Sequence, residues 1–166
     1  KYFLLGAFAS AFFLYGSSLV YGATGSLNFT EIDAGISSRV GVDSLLLVGT
    51  GMIAVGLLFK ISAVPFQFWT PDVYQGAPTP VTGFMAAATK TAAVIALMRV
   101  FYVALGGLVE DWTVLLWVIA AVTMLVGSVL ALTQTDVKRM LAYSSIAHAG
   151  FLLVGLVSAD EAGTAA

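Results

Sequence analysis

Cysteine is absent from the chain, histidine occurs once, and Asp, Glu, Lys and Arg together make up only 10% of the 166 residues. The missing cysteine excludes disulfides, thiolate metal sites and a cysteine nucleophile. The scarcity of charge says more. Soluble domains carry roughly 25% charged residues and about 45–50% apolar ones. Here 60% of the residues are hydrophobic, and the mean hydropathy is +0.99. So few charges cannot cover so much apolar surface in water, and the chain reads as an integral membrane protein. A net charge of −2 offers no basic patch to neutralise phosphates, which excludes a nucleic-acid partner. No G-x-S-x-G, P-loop, paired-carboxylate or His-rich metal motif is present, so no catalytic residue and no metal site is expected in this chain.

What is there is a series of long apolar runs. A helix crossing a hydrocarbon core needs about 20 apolar residues. Five segments qualify, at about 2–22, 42–69, 81–108, 112–134 and 138–157. They define an all-α polytopic helix bundle lying in the lipid bilayer, and the whole chain reads as one partial membrane domain. The runs are continuously apolar instead of alternating, which argues against a β-barrel. The first run follows Lys1 directly, is too long for a signal peptide's apolar core and lacks a cleavage site; it reads as a crossing. The missing methionine suggests a piece cut from a longer chain. "ATGSLNFTEIDAGISSR" reads as an aqueous loop, and "VEDW" and "TQTDVKR" as tight connections between antiparallel neighbours. Tyr21, Trp69 and Trp112 fit an aromatic anchoring belt.

The charges sort by side. Glu31, Asp33, Arg39, Glu110, Asp111, Asp160 and Glu161 fall on one face, and Lys1, Asp72, Asp136, Lys138 and Arg139 on the other. Because Lys1, Lys138 and Arg139 outnumber Arg39, the second face is expected to be cytoplasmic, in a bacterial inner membrane. Asp43 reads as a helix-end residue at the outer face, and Arg99 as a side chain reaching towards it.

Three groups stand where lipid should exclude them. Lys90 follows Pro80, a first-turn proline, by about ten residues, hence about 15 Å along the helix and near the bilayer midplane. A lysine there costs about 2.5–3.5 kcal/mol even on a lenient scale, which points to an ion pathway; a structural ion pair is the bland alternative. Lys60 stands before Pro65 in "FKISAVPFQFWTPDVYQGAPTPV", the stretch that holds all four prolines, and is either a snorkelling side chain near the cytoplasmic end or a group below the surface beside a hydrated break. Pro65 removes a backbone donor and frees a carbonyl one turn earlier. Such a break survives in a membrane only where it is buried in protein or lines a hydrated cavity, so the second crossing is expected to be discontinuous near Pro65. His148 lies midway along the last run with Ser144 one turn before it, on the same helical face. A titratable imidazole beside a hydroxyl could extend a proton chain, or could only make a helix–helix hydrogen bond.

The stretches "FKISAVPFQFWTPDVYQGAPTPV", "ATKTA" and "KRMLAYSSIAHAGFLLVGL" resemble the antiporter-like subunit N of bacterial NADH:quinone oxidoreductases, the respiratory complex I. "WTPDVYQGAPTPV" is the more specific part, because sister subunits and multisubunit cation/proton antiporters carry a different "W-L-P-D-A" version. The resemblance runs from about Gly41 to the end, and more loosely over the first crossing. It implies a fold of about fourteen helices with two inverted repeats, each containing a discontinuous helix. This chain would then hold the last three helices of the first repeat and the first two of the second. It further implies a proton pathway through Lys60, Lys90 and His148, with the break at Pro65 and Asp72 and Ser144 as auxiliary polar groups. Gln67 stands where relatives often have histidine, and the family's acidic partner on the fifth helix and lysine on the twelfth are not in this chain. NADH, flavin, iron–sulfur clusters and quinone are expected in other subunits, and other membrane-arm subunits as partners. A sodium/proton antiporter or membrane-bound hydrogenase subunit shares the fold and remains the alternative. A purely structural helix bundle is the third reading. Lys60 and Lys90 are expected on one water-accessible path.

Overall fold

A computed structural model of the chain describes residues 2–38 and 44–158. Lys1, Arg39, Asp43, Asp160 and Glu161, on which part of the charge argument rests, lie outside the described residues. Among the described residues all regular structure is helical, and five helices are long and apolar enough to cross a membrane.

The first crossing, α1 (Tyr2–Thr24), runs antiparallel to α3 (Ser44–Ile61) and packs along it at glycines. A Cβ on Gly16 would lie 2.7 Å from the Gly49 carbonyl, and one on Gly56 would lie 2.7 Å from Phe13 Cβ, so bare backbone sets the approach of the pair. The connection between them is not the featureless loop that its polarity suggests. It contains α2 (Phe29–Ser37), begun by Asn28, whose side chain accepts from the Thr30 N–H at 3.1 Å. Ile32 and Ile36 share the buried face of α2, a spacing hidden among polar residues. Asp33 Oδ1 accepts from the Gly107 N–H at 3.1 Å and fixes α2 against the turn that opens the fourth crossing.

After α3 the chain breaks, then resumes as α4 (Trp69–Gly76). The third crossing covers Thr79–Ala104 and starts at α5 (Thr79–Phe84), with proline in its first turn. A π-helical turn at Met85–Thr89 leads into α6 (Lys90–Met98), and a second follows at Arg99–Ala104. A short 3-10 turn, Gly106–Leu108, connects it to α7 (Val109–Leu132). Asp136 then caps α8 (Val137–Val157), its side chain accepting from the Arg139 N–H at 3.0 Å. α7 and α8 form a second tight antiparallel pair, α4 lies on α8, and α6 packs on α3.

Of the three aromatics expected in an anchoring belt, Tyr21 is exposed. Trp69 and Trp112 are buried inside the chain, and their indole N–H groups donate to the carbonyls of Phe59 and Leu105, each at 3.1 Å. An indole whose one donor is spent on an internal carbonyl, and whose ring is covered, does not anchor at a headgroup interface.

Candidate functional site

The interruption covers residues 62–68, as Pro65 implies, between the end of α3 and the start of α4. The second crossing, expected at about 42–69 with a break near Pro65, is an α-helix that ends at Ile61 before that break. Ser62 turns the chain with φ at 66°, the left-handed region that non-glycine residues visit at a cost of roughly 1–2 kcal/mol. Its buried hydroxyl accepts from Thr70 Oγ1 at 2.6 Å, so the two half-helices are tied across the break. The Val64–Pro65 peptide is cis.

The backbone N–H groups of Ser62, Ala63, Val64 and Phe66 in the break find internal partners, as a lipid surround requires. The Phe59 carbonyl accepts from Ser62 N at 3.1 Å and from Trp69 Nε1. The Ala63 N–H donates to the Leu58 carbonyl at 3.0 Å, and the Phe66 N–H to the Ala63 carbonyl at 2.7 Å. The Val64 N–H donates to Thr123 Oγ1 at 3.0 Å, and that hydroxyl donates in turn to the Ile119 carbonyl at 2.6 Å. Thr123, fully buried on α7, therefore supports the break from a different crossing, which nothing in its own sequence neighbourhood announces.

Lys90 is 5% exposed and opens α6 directly after the first π-helical turn. A π-helical turn inserts one residue into the helix and rotates the residues beyond it, a device frequent at functional sites. Here it delivers the Lys90 ammonium to α8, where Nζ donates to the Ser145 carbonyl at 2.7 Å and to Ser145 Oγ at 2.6 Å. Neither acceptor is charged. Ser145 is the residue that sequence reasoning missed, having chosen its neighbour Ser144. Tyr74 is buried on α4, which lies against α8.

Ser144 and His148 do meet. His148 Nδ1 lies 2.8 Å from the Ser144 carbonyl and 3.5 Å from its hydroxyl, on an exposed face of α8. Lys60, in the last turn of α3, is exposed on the side facing α1. It lines a cavity of ≈ 330 Å³ with Ala9, Ser10, Phe13 and Gly56. Lys60 and Lys90 thus turn to different neighbours, one towards α1 and the other towards α8. Gln67 is buried with its side-chain oxygen unbonded.

At the end of the bundle where α8 begins, Arg139 Nη1 donates to Asp72 Oδ1 at 2.9 Å and to Gln75 Oε1 at 3.0 Å. Lys138 Nζ donates to the Ala77 carbonyl at 3.3 Å. Asp72 therefore holds α4 to α8, close to the site but at the rim. The Arg99 guanidinium lies 5.9 Å from the centre of the Phe29 ring, a cation–π contact that holds it to α2.

An interrupted crossing packed beside a helix with a buried lysine is the architecture of the antiporter-like membrane subunits. Over its full length, residues 1–166, the chain belongs to the family described as NADH:quinone oxidoreductase/Mrp antiporter, TM. Within it, the chain is 60% identical over 162 residues to NADH-quinone oxidoreductase subunit N of Nocardioides sp., an alignment covering 98% of this chain and 30% of that protein. Respiratory complex I from Thermus thermophilus with bound aureothin contains a chain of similar structure, with TM-score 0.77 and 47% identity, covering 94% of this chain and 33% of that one. The Mrp complex of Dietzia sp. gives TM-score 0.83 at 25% identity, covering 94% of this chain and 28% of its counterpart. The chain thus spans about a third or less of the length of the relatives it matches.

Proposed function

We propose that this chain forms the broken-helix core of a proton-translocating subunit in the membrane arm of an NADH:quinone oxidoreductase. The observation that carries the reading is Lys90, a buried ammonium whose bonded partners are a serine hydroxyl and a carbonyl. Lysine held that way can give up its proton without abandoning a carboxylate. Lys60 beside the break and His148 beside Ser144 supply further titratable groups on the same bundle. An acidic partner on another helix of the subunit would hold the proton on Lys60. Displacing that partner removes the attraction and sends the proton along internal water towards Lys90. Oxidation of NADH by quinone, with its flavin and iron–sulfur clusters, belongs to other subunits, which are also this subunit's partners.

The antiporter reading is weaker, because identity is 60% to the Nocardioides oxidoreductase subunit and 25% to the Mrp chain. Proteoliposomes holding the complete complex separate the two. NADH should drive proton uptake at an unchanged rate when sodium is omitted. Uptake that vanishes without sodium would transfer the chain to the antiporter class.

In the inner membrane, the Asp72–Arg139 end faces the cytoplasm and Glu31 and Glu110 face outward. A cysteine replacing Asp111 should then react with an impermeant maleimide added to intact spheroplasts. Reaction only in inverted vesicles would reverse the orientation.

A further inference from the structure

The end of α3 closes on itself and leaves one donor over. Ser62 is left-handed, its N–H donates to the Phe59 carbonyl at 3.1 Å, and the Ala63 N–H donates to the Leu58 carbonyl at 3.0 Å. These are the two bonds of a Schellman motif, with Lys60 in the turn that they close. Val64 follows with an N–H that the motif does not use, and Pro65 has none to offer. Thr123 takes that donor: the Val64 N–H meets its hydroxyl oxygen at 3.0 Å. The Thr123 hydrogen is engaged by the Ile119 carbonyl at 2.6 Å, which fixes the hydroxyl and leaves its oxygen to accept from Val64.

Thr123 belongs to a buried stripe of α7 whose neighbouring members, Leu116, Ala120 and Gly127, carry no polar side-chain atom. The same stretch of α7 meets α8 at bare backbone. A Cβ on Gly127 would lie 2.7 Å from the Ala147 nitrogen, and one on Gly150 would lie 3.0 Å from the Ala120 carbonyl oxygen. Gly127 is about 6 Å along α7 from Thr123, and Ser145 is about 3 Å along α8 from Ala147. Packing this close transmits a displacement instead of absorbing it. We infer that Thr123 is a positioning residue that makes α7 a strut between the break behind Lys60 and the serine that holds Lys90. The inference rests on the proton-translocating reading and adds the element through which two lysines turned to different neighbours respond to each other. A shift of the break pulls on Val64, carries Thr123 and α7 with it, and moves Ser145 against the Lys90 ammonium.

The test uses the complete complex in proteoliposomes and two readouts. One is amide hydrogen exchange of the peptide covering residues 62–68, and the other is NADH-driven proton uptake per assembled complex. Thr123→Val keeps the branched shape and deletes the acceptor of the Val64 N–H. It should raise exchange across the break severalfold and slow uptake severalfold. Thr123→Ser, which keeps the hydroxyl and loses a methyl, should restore both. Unchanged exchange in Thr123→Val overturns the tie to the break. Raised exchange with wild-type uptake overturns the strut, and so does a loss that serine fails to restore, because that loss traces to the methyl. Adding Thr123→Val to Ser145→Ala should slow uptake no further than the slower single variant, since both act on one contact. Losses that multiply make the two sites independent and overturn the strut. If Thr123→Val fails to assemble, Thr123→Ala deletes the same hydroxyl and is read by the same outcomes. Lys90→Met, run beside them, separates the two levels of the argument. Normal pumping by that variant removes the proton-translocating reading, while the exchange readout still decides whether Thr123 holds the break. Its failure beside wild-type uptake in Thr123→Val removes only the strut.

Discussion

A complex assembled with Lys90→Met in this subunit is expected to reach the membrane in normal amount and to pump protons about a hundredfold more slowly, the scale on which positioned acid–base groups act. The two halves of that expectation have separate physical grounds. Methionine has a comparable length and is apolar, so the substitution removes the cost of about 2.5–3.5 kcal/mol for a lysine placed deep in a bilayer. Against this, the Ser145 carbonyl and hydroxyl lose a charged donor, and a hydrogen bond to a charged group contributes about 1.5–3 kcal/mol. The opposing effects are similar in size, so assembly survives.

A structural lysine predicts the opposite pattern. Removing one partner of a buried ion pair strands the other charge, at about 3–5 kcal/mol. The scaffold reading therefore requires Lys90→Met to be lost from the membrane, whereas the pathway reading requires it to be present and idle. Blue-native gels for assembly and dye quenching for proton uptake distinguish them. Normal assembly with normal pumping would contradict both readings.

How far the site could be read beforehand depended on whether a residue's effect was local. Pro65 sits in an apolar run, and its missing donor interrupts any helix, so the break was legible from one residue. The buried position of Lys90 followed from its distance along a helix begun by Pro80. Its partner did not. Ser144 and Ser145 are adjacent, about 100° apart around α8, and which of them meets Lys90 depends on how α8 is rotated against its neighbours. The π-helical turn at Met85–Thr89 shifts the phase of Lys90 on its own helix by one residue, and "MAAAT" carries no mark of it. Thr123 acts across crossings far apart in sequence, where periodicity is silent. Trp69 and Trp112 misled for a related reason. An aromatic near a span end suggests an interface, but only packing shows that the indole is covered and its donor already used.

The α7–α8 contact that sets this rotation yields the other large expected effect. A Cβ on Gly127 would lie 2.7 Å from the Ala147 nitrogen and 3.0 Å from its Cα, and both are backbone atoms that cannot swing aside. Gly127→Ala must therefore push α8 away from α7, and overpacking of this kind costs about 1–3 kcal/mol. Ser145 is two residues before the Ala147 contact, so the same displacement draws its hydroxyl and carbonyl off Lys90. Trimming Ala147 to glycine would not relieve the clash, because the nearest atoms belong to the backbone. Gly155, on the same α8, is the control: a Cβ there meets nothing within 4 Å. Gly155→Ala should keep normal assembly and normal proton uptake. Gly127→Ala should lower the thermal midpoint of the purified complex, and whatever complex survives should pump more slowly than the fall in its amount explains. Equal behaviour of the two variants would mean that α7 and α8 are not held at backbone contact. The placement of Ser145 on Lys90 would then lose its support.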